Sequence, residues 1–117
     1  MDLNKYIDHT LLKATATLTE IKELCEEAVK HRFYAVCVNG CNVALAKDHL
    51  RGSEVKVAAV IGFPLGAGTT GTKVFEAEEC IRAGADEIDM VINIGWLKAE
   101  KAVLVEQEIS SIKSAIG

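Results

Sequence analysis

The chain holds 117 residues, 50% of them hydrophobic and 26% charged, with nine glycines and a single proline. That is at most one domain's worth of chain, too apolar to be disordered and too irregular in its glycines to be collagen-like. No apolar run approaches the roughly 20 residues of a membrane-spanning helix, and a net charge of −4 leaves no Lys/Arg block to follow a nucleic-acid backbone. The start, Met1-Asp2-Leu3-Asn4-Lys5, lacks the basic-then-apolar pattern of a signal peptide, which points to the cytosol. Tyr6-Ile-Asp-His-Thr-Leu-Leu12 is an apolar segment carrying Asp8, His9 and Thr10. Leu18, Ile21, Leu24, Cys25, Ala28 and Val29 then recur at helical spacing, with Glu20, Glu23, Glu26, Glu27 and Lys30 on the other side. Thr17-x-x-Glu20 is a capping box, so this helix runs from near Leu18 to near His31.

Tyr34-Ala-Val-Cys-Val38 reads as a short buried strand, and Asn42 to Leu50 as a helix stopped by Arg51-Gly52-Ser53. Val55 to Ile61 is a second strand that runs into a glycine-rich loop, Gly62 to Gly71. A helix over about Thr72 to Ala83 closes on Gly84, Ile88 to Ile92 is a third strand, and a last helix spans Ala102 to Ile116 with Gly117 suited to its cap. The predicted order is a helix, then strand–helix three times, with strands apolar on both faces as parallel strands under helices are. Two architectures fit. One is an open sheet with helices on both sides; the other is an arc of a barrel, with all helices outside and the inner strand face bare. A complete (β/α)8 barrel takes about 250 residues, so the second reading leaves more than half of it outside this chain.

The four cysteines, Cys25, Cys37, Cys41 and Cys80, are expected to be reduced thiols in a cytosolic chain. Cys25 and Cys80 fall on inner helix faces, and Cys37-x3-Cys41 lacks the paired spacing of a zinc site, so no metal is expected. Polar residues inside apolar runs are more informative. Asp89 lies between Ile88 and Met90 in mid-strand, where a buried carboxylate needs a partner or a function. Asp8 reads equally as a turn residue or a site residue; His9 could serve as a base, but a lone histidine is more often a core or surface residue, and His31 and His49 read as helix-end charges. Asp86 and Glu87 read as ordinary solvated charges. Gly66-Ala-Gly68-Thr-Thr-Gly71 matches a dinucleotide-binding pattern, yet its first glycine follows the strand too late, and Asp89 sits too early in the next strand to reach a ribose. Lys73 is likewise one residue out of place for a phosphate loop.

Taken together, Ile7-Asp-His-Thr-Leu-Leu-Lys13, Val36-Cys-Val-Asn39, Val60-Ile-Gly-Phe-Pro-Leu-Gly-Ala67 and Gly84-Ala-Asp-Glu-Ile-Asp-Met-Val-Ile-Asn93 resemble the deoxyribose-phosphate aldolases. The resemblance covers essentially the whole chain but only the N-terminal half of that enzyme. It implies an α/β fold: a partial TIM (β/α)8 barrel, here an N-terminal helix followed by about three βα units, with residues 1–117 an N-terminal half-barrel segment. It implies reversible cleavage of 2-deoxy-D-ribose 5-phosphate to acetaldehyde and D-glyceraldehyde 3-phosphate through a lysine Schiff base, with no metal and no cofactor. By the same resemblance Asp89 is the proton donor and acceptor, Asp8 and Thr10 line the site, Cys37 neighbours the reactive lysine, and the glycine-rich loop lies on the catalytic face. Gly40-Cys41, Gly68 and Gly71 depart from the family's usual residues, which loosens loops and leaves the chemistry alone.

A Schiff-base lysine must be desolvated or set beside another cation to be neutral near pH 7. Of the ten lysines only Lys56 is in a predicted strand, at its start, and the family's catalytic lysines and phosphate site belong to its C-terminal half. The chain is therefore expected to be inactive alone. The expected partners are small phosphorylated sugar and aldehyde substrates in the intact enzyme, with no nucleic acid and no membrane. Two further readings stand beside this one: an assembly module that forms a homodimer or pairs with a separate C-terminal half, and a small nucleotide-binding domain. The dimer would bury a strand face exposing Val36, Val38 and Ile61 or their strand neighbours.

Overall fold

A computed structural model describes residues 2–117. After a 3-10 turn at Leu3–Tyr6 come β1 (Asp8–Leu11), α1 (Leu18–His31), β2 (Ala35–Val38), a second 3-10 turn at Gly40–Asn42, and α2 (Val43–His49). Then follow β3 (Lys56–Ile61), α3 (Thr70–Ala83), β4 (Glu87–Met90), α4 (Ile94–Lys98) and α5 (Ala102–Ile116). The predicted helices over 18–31 and 102–116 match α1 and α5, and the Thr17–Glu20 capping box forms with both of its hydrogen bonds. Among the described residues, no helix is long and apolar enough to cross a membrane.

The structure begins with a strand where the sequence pattern showed none. β1 is only four residues long and three of them are polar, so no apolar run marks it; pairing with β2 makes it a strand. Asn4 anchors the segment ahead of it by donating to the carbonyls of His31 and Arg32, at 3.2 and 3.0 Å. α4 was also not predicted. Its Asn93 cap accepts from the Trp96 amide, but its five residues are too few to show a helical period.

All four strands are parallel and lie in the order β1-β2-β3-β4. Successive right-handed crossovers that step in one direction place every helix on the same side; helices on both sides need a reversal of strand order. The packing agrees. Val36, Val38, Val57, Ala59 and Ile61 join Ile21, Cys25 and Ala28 of α1, Val43 and Ala46 of α2, Ala77 and Cys80 of α3, and Ile112 of α5 in one core. On the opposite side Cys37, Ala58 and Val60 form a small separate cluster with Leu12. The sheet is thus an arc with one covered and one open face. Val36, Val38 and Ile61, offered above for the open face, are under the helices; their strand neighbours line the open side and are only 2–6% exposed, being small and recessed.

β4 starts under tight control. Asp86 accepts the Val57 amide at 2.9 Å and pairs with Lys47 at 3.0 Å. Burial by itself would raise the Asp86 pKa, but the Val57 amide and Lys47 outweigh it and hold the carboxyl below the ordinary aspartate value. Glu87 accepts the Tyr34 hydroxyl at 2.6 Å. Neither acid is the free solvated charge expected from sequence.

Candidate active site

The site residues read from the sequence gather on the open face. Register pairs Asp8 with Ala35, Thr10 with Cys37, Cys37 with Ala58, Ala58 with Glu87, and Val60 with Asp89. Because side chains alternate along each strand, Asp8, Thr10, Cys37, Ala58, Glu87 and Asp89 share one side. An open cleft of about 680 Å³ passes over Asp8, Ala58, Glu87 and Asp89 and around the free edge of β4, with Lys113 on its far wall.

The acids on this face bear on the titration of Asp8 and Cys37. Partial burial raises the Asp8 pKa above the ordinary aspartate value, and the nearby charges of Glu87 and Asp89 add to the rise. Burial also pushes the Cys37 thiol up to about 11, helped by Asp89 and Asp8 and opposed by a hydrogen bond with Thr10. A thiol in that range stays protonated at neutral pH and is a poor nucleophile. Thr10 in turn donates its hydroxyl to the Asp8 carbonyl at 2.8 Å.

One sequence expectation fails here. Asp89 was read as a buried acid, but it is exposed, because the face it projects from is uncovered. His9, considered as a base, is on the helix side of β1: its Nε2 is 3.2 Å from Glu27 Oε2, and its ring lies 5.2 Å from that of Phe33. It is not part of the site.

The glycine-rich loop is not shaped as a phosphate cradle. Only Gly66 of its three motif glycines requires the residue type: its φ is +68°, and a Cβ there would collide with the Ile92 carbonyl. Gly68 and Gly71 open onto empty space, and Gly71 already belongs to α3. A dinucleotide fingerprint needs its later glycines for close approach.

The sequence reading missed one buried polar cluster. Lys73 of α3 and Glu108 of α5 are each 1% exposed, with Lys73 Nζ 2.5 Å from Glu108 Oε1. Lys73 also donates to the Val91 carbonyl at 3.0 Å, and Thr70 donates its hydroxyl to Glu108 at 2.7 Å. A signal was present: Lys73, Ala77 and Cys80 share one helical stripe, as do Val105, Glu108 and Ile112, which puts each charge at a core position.

A profile describing DeoC/LacD family aldolases matches residues 3–116. The chain belongs to that family. It is 54% identical over 117 residues to a deoxyribose-phosphate aldolase of Coprothermobacter proteolyticus, covering all of this chain and 53% of that protein. It is 55% identical over 115 residues to one of Finegoldia magna, covering 98% and 54%. A solved structure of a candidate deoxyribose-phosphate aldolase from Coccidioides immitis superposes with a TM-score of 0.94 at 39% identity, over 97% of this chain and 45% of that one. The chain spans about half the length of the curated relatives it matches. The four-stranded arc is accordingly part of a TIM barrel, and the alternative of an open sheet covered on both faces falls away.

Proposed function

We propose that this DeoC/LacD-family chain supplies one half of a deoxyribose-phosphate aldolase site: residues 1–117 form the N-terminal half-barrel wall that carries Asp89, Asp8, Thr10 and Cys37. The observation that carries the reading is their convergence on the one strand face no helix covers. In a TIM barrel that face becomes the interior, and chemistry sits toward the strands' C-terminal ends. Asp89 is the next-to-last residue of β4.

The reaction is a reversible retro-aldol cleavage of 2-deoxy-D-ribose 5-phosphate. A neutral lysine amine adds to the C1 carbonyl, and the resulting carbinolamine takes up a proton at its hydroxyl and loses water, forming an iminium. As the C2–C3 bond breaks, its electron pair becomes the C1=C2 bond, the iminium π pair moves onto nitrogen and the C3 hydroxyl gives up its proton, leaving D-glyceraldehyde 3-phosphate and an enamine. Protonation of the enamine at C2 and hydrolysis return acetaldehyde and the lysine. Asp89 is assigned the proton movements, through a water, and Cys37 a packing role beside the nucleophile.

The nucleophile is not assigned within residues 1–117. Nine of the ten lysines are exposed, outside the desolvated pocket that a Schiff-base amine needs, and Lys73 is held by Glu108 on the helix side of the sheet. The chain by itself is therefore inactive, and the four free thiols fit a reducing, cytosolic setting. Borohydride trapping with acetaldehyde tests this: the chain alone gives no stoichiometric adduct, and adding a C-terminal half-barrel gives one adduct, on a lysine of the added half. Rapid trapping at one lysine of the 117-residue chain would overturn it.

Self-association as a homodimer is a second reading. β1 and β4 each keep one edge unpaired among the described residues, and open edges recruit further strands. Ile94 and Leu97 of α4 and Val103 and Leu104 of α5 add exposed apolar side chains that an association could cover. Sedimentation equilibrium at micromolar concentration is expected to show a species of twice 12.6 kDa; a monodisperse monomer would defeat it.

A further inference from the structure

The geometry points to Lys73 and Glu108 as positioning residues for Asp89, acting through the Val91 carbonyl; the inference rests on the proton-transfer role proposed for Asp89. Two opposite charges at core positions are a poor way to gain stability, since apolar residues of similar volume do as well or better. What this pair offers is direction. Lys73 Nζ sits between Glu108 Oε1 at 2.5 Å and the Val91 carbonyl at 3.0 Å, and Thr70 fixes the second Glu108 oxygen at 2.7 Å. Glu108 therefore aims the lysine, and the lysine grips the backbone two residues beyond Asp89.

The gripped peptide lies where β4 ends. Val91 donates its own amide to Ile61 at 3.1 Å, so both of its backbone groups are held, one by β3 and one by α3. The next carbonyl, that of Ile92, is packed against Gly66, and the Val91 side chain would come within 2.8 Å of a Cβ there. The lysine's own path requires Gly62, whose φ is +62° and whose absent Cβ would stand 3.0 Å from Lys73 Cε. Gly62 itself is tied down, its amide donating to Glu76 at 2.7 Å. Loop, helix and strand end thus meet on residues 91 and 92, and with the exit of β4 immobile, Asp89 is fixed in its projection from the open face.

The test is the double variant Lys73→Met/Glu108→Met, which removes the grip and leaves no buried charge. In the 117-residue chain, the thermal midpoint stays near the parent value, while the Val91 amide exchanges about tenfold faster as local opening becomes easier. Amides of β2 are unchanged, and the Asp89 carboxyl carbon resonance shifts. A merely structural pair would move the midpoint and leave that resonance in place. A folded double variant with an unshifted Asp89 resonance overturns the inference, whether or not Val91 exchanges faster. Should the double variant not fold, Thr70→Val, which frees one Glu108 oxygen and keeps both charges, is expected to speed Val91 exchange and shift Asp89 in the same sense; no change there also overturns it. None of these readouts depends on turnover, so failure of the aldolase reading, seen as undiminished turnover of Asp89→Asn in an intact barrel, is separately visible.

Discussion

The two faces of the sheet are built by opposite rules from the same strands. Toward the helices, Val36, Val38, Val57, Ala59 and Ile61 are fully buried in an interdigitated core. Toward the open side the side chains are small (Cys37, Ala58, Val60) or acidic (Asp8, Glu87, Asp89). The covered face carries the hydrophobic core, and the open face gathers three carboxylates, Asp8, Glu87 and Asp89. Alternation along a strand is what lets one segment serve both purposes.

Four substitutions would break or sharpen that contrast. The largest effect is expected on the open face, in function alone. In an intact barrel, Asp89→Asn is expected to lower aldol turnover by about 10²–10⁴-fold, the usual worth of a proton-transfer group, because the amide cannot accept the proton. Circular dichroism of that variant should match the parent; turnover within a few-fold of normal would remove Asp89 from the mechanism.

A smaller effect compares stability across the sheet. Val57→Ala, under the helices, is expected to cost about 2 kcal/mol in urea unfolding, and Val60→Ala, on the open side, under about 1 kcal/mol. Equal losses would mean that the open face is packed as tightly as the covered one.

The smallest effect is electrostatic. Because Asp8 has its pKa raised in the folded chain, its ionised form opposes folding above that pKa, and the opposition fades as pH falls through it. Asp8→Asn is therefore expected to stabilise the chain by a few tenths of a kcal/mol at pH 7, modest because the site is solvent-screened. The gain should vanish below about pH 4, where the aspartate of the unfolded chain is also protonated. A gain that persists at pH 3 would assign the effect to packing and not to charge.

The helices were legible because their signals are local. A capping box, an apolar stripe and a closing glycine place α1 and α3 within a residue or two, and the motif run through Gly84–Asn93 marked the strand that carries Asp89. What escaped depends on contacts distant in sequence. β1 is a strand because β2 lies beside it, and no feature of Asp8–Leu11 alone says so. The exposure of Asp89 could not be read from an apolar run, since the run reports that a strand is flanked by apolar residues and not whether its second face is covered. Lys73 was weighed only as a phosphate-loop lysine, and lysine is seldom a core residue, so its burial went unread. The charge was compensated 35 residues away, by Glu108.

The Asp86 carboxylate, wedged between the Val57 amide and Lys47, has a bearing on how the chain avoids misthreading. Parallel strands joined by helices can slide past one another, and a slip of one residue turns every side chain to the opposite face. In β4 such a slip would drive Asp89 into the apolar helix layer and present Ile88 or Met90 in its place. By accepting the Val57 amide directly, Asp86 marks where β4 must begin against β3. A residue without chemistry of its own thereby acts as the index mark that decides which side chain of Glu87–Met90 reaches the barrel interior.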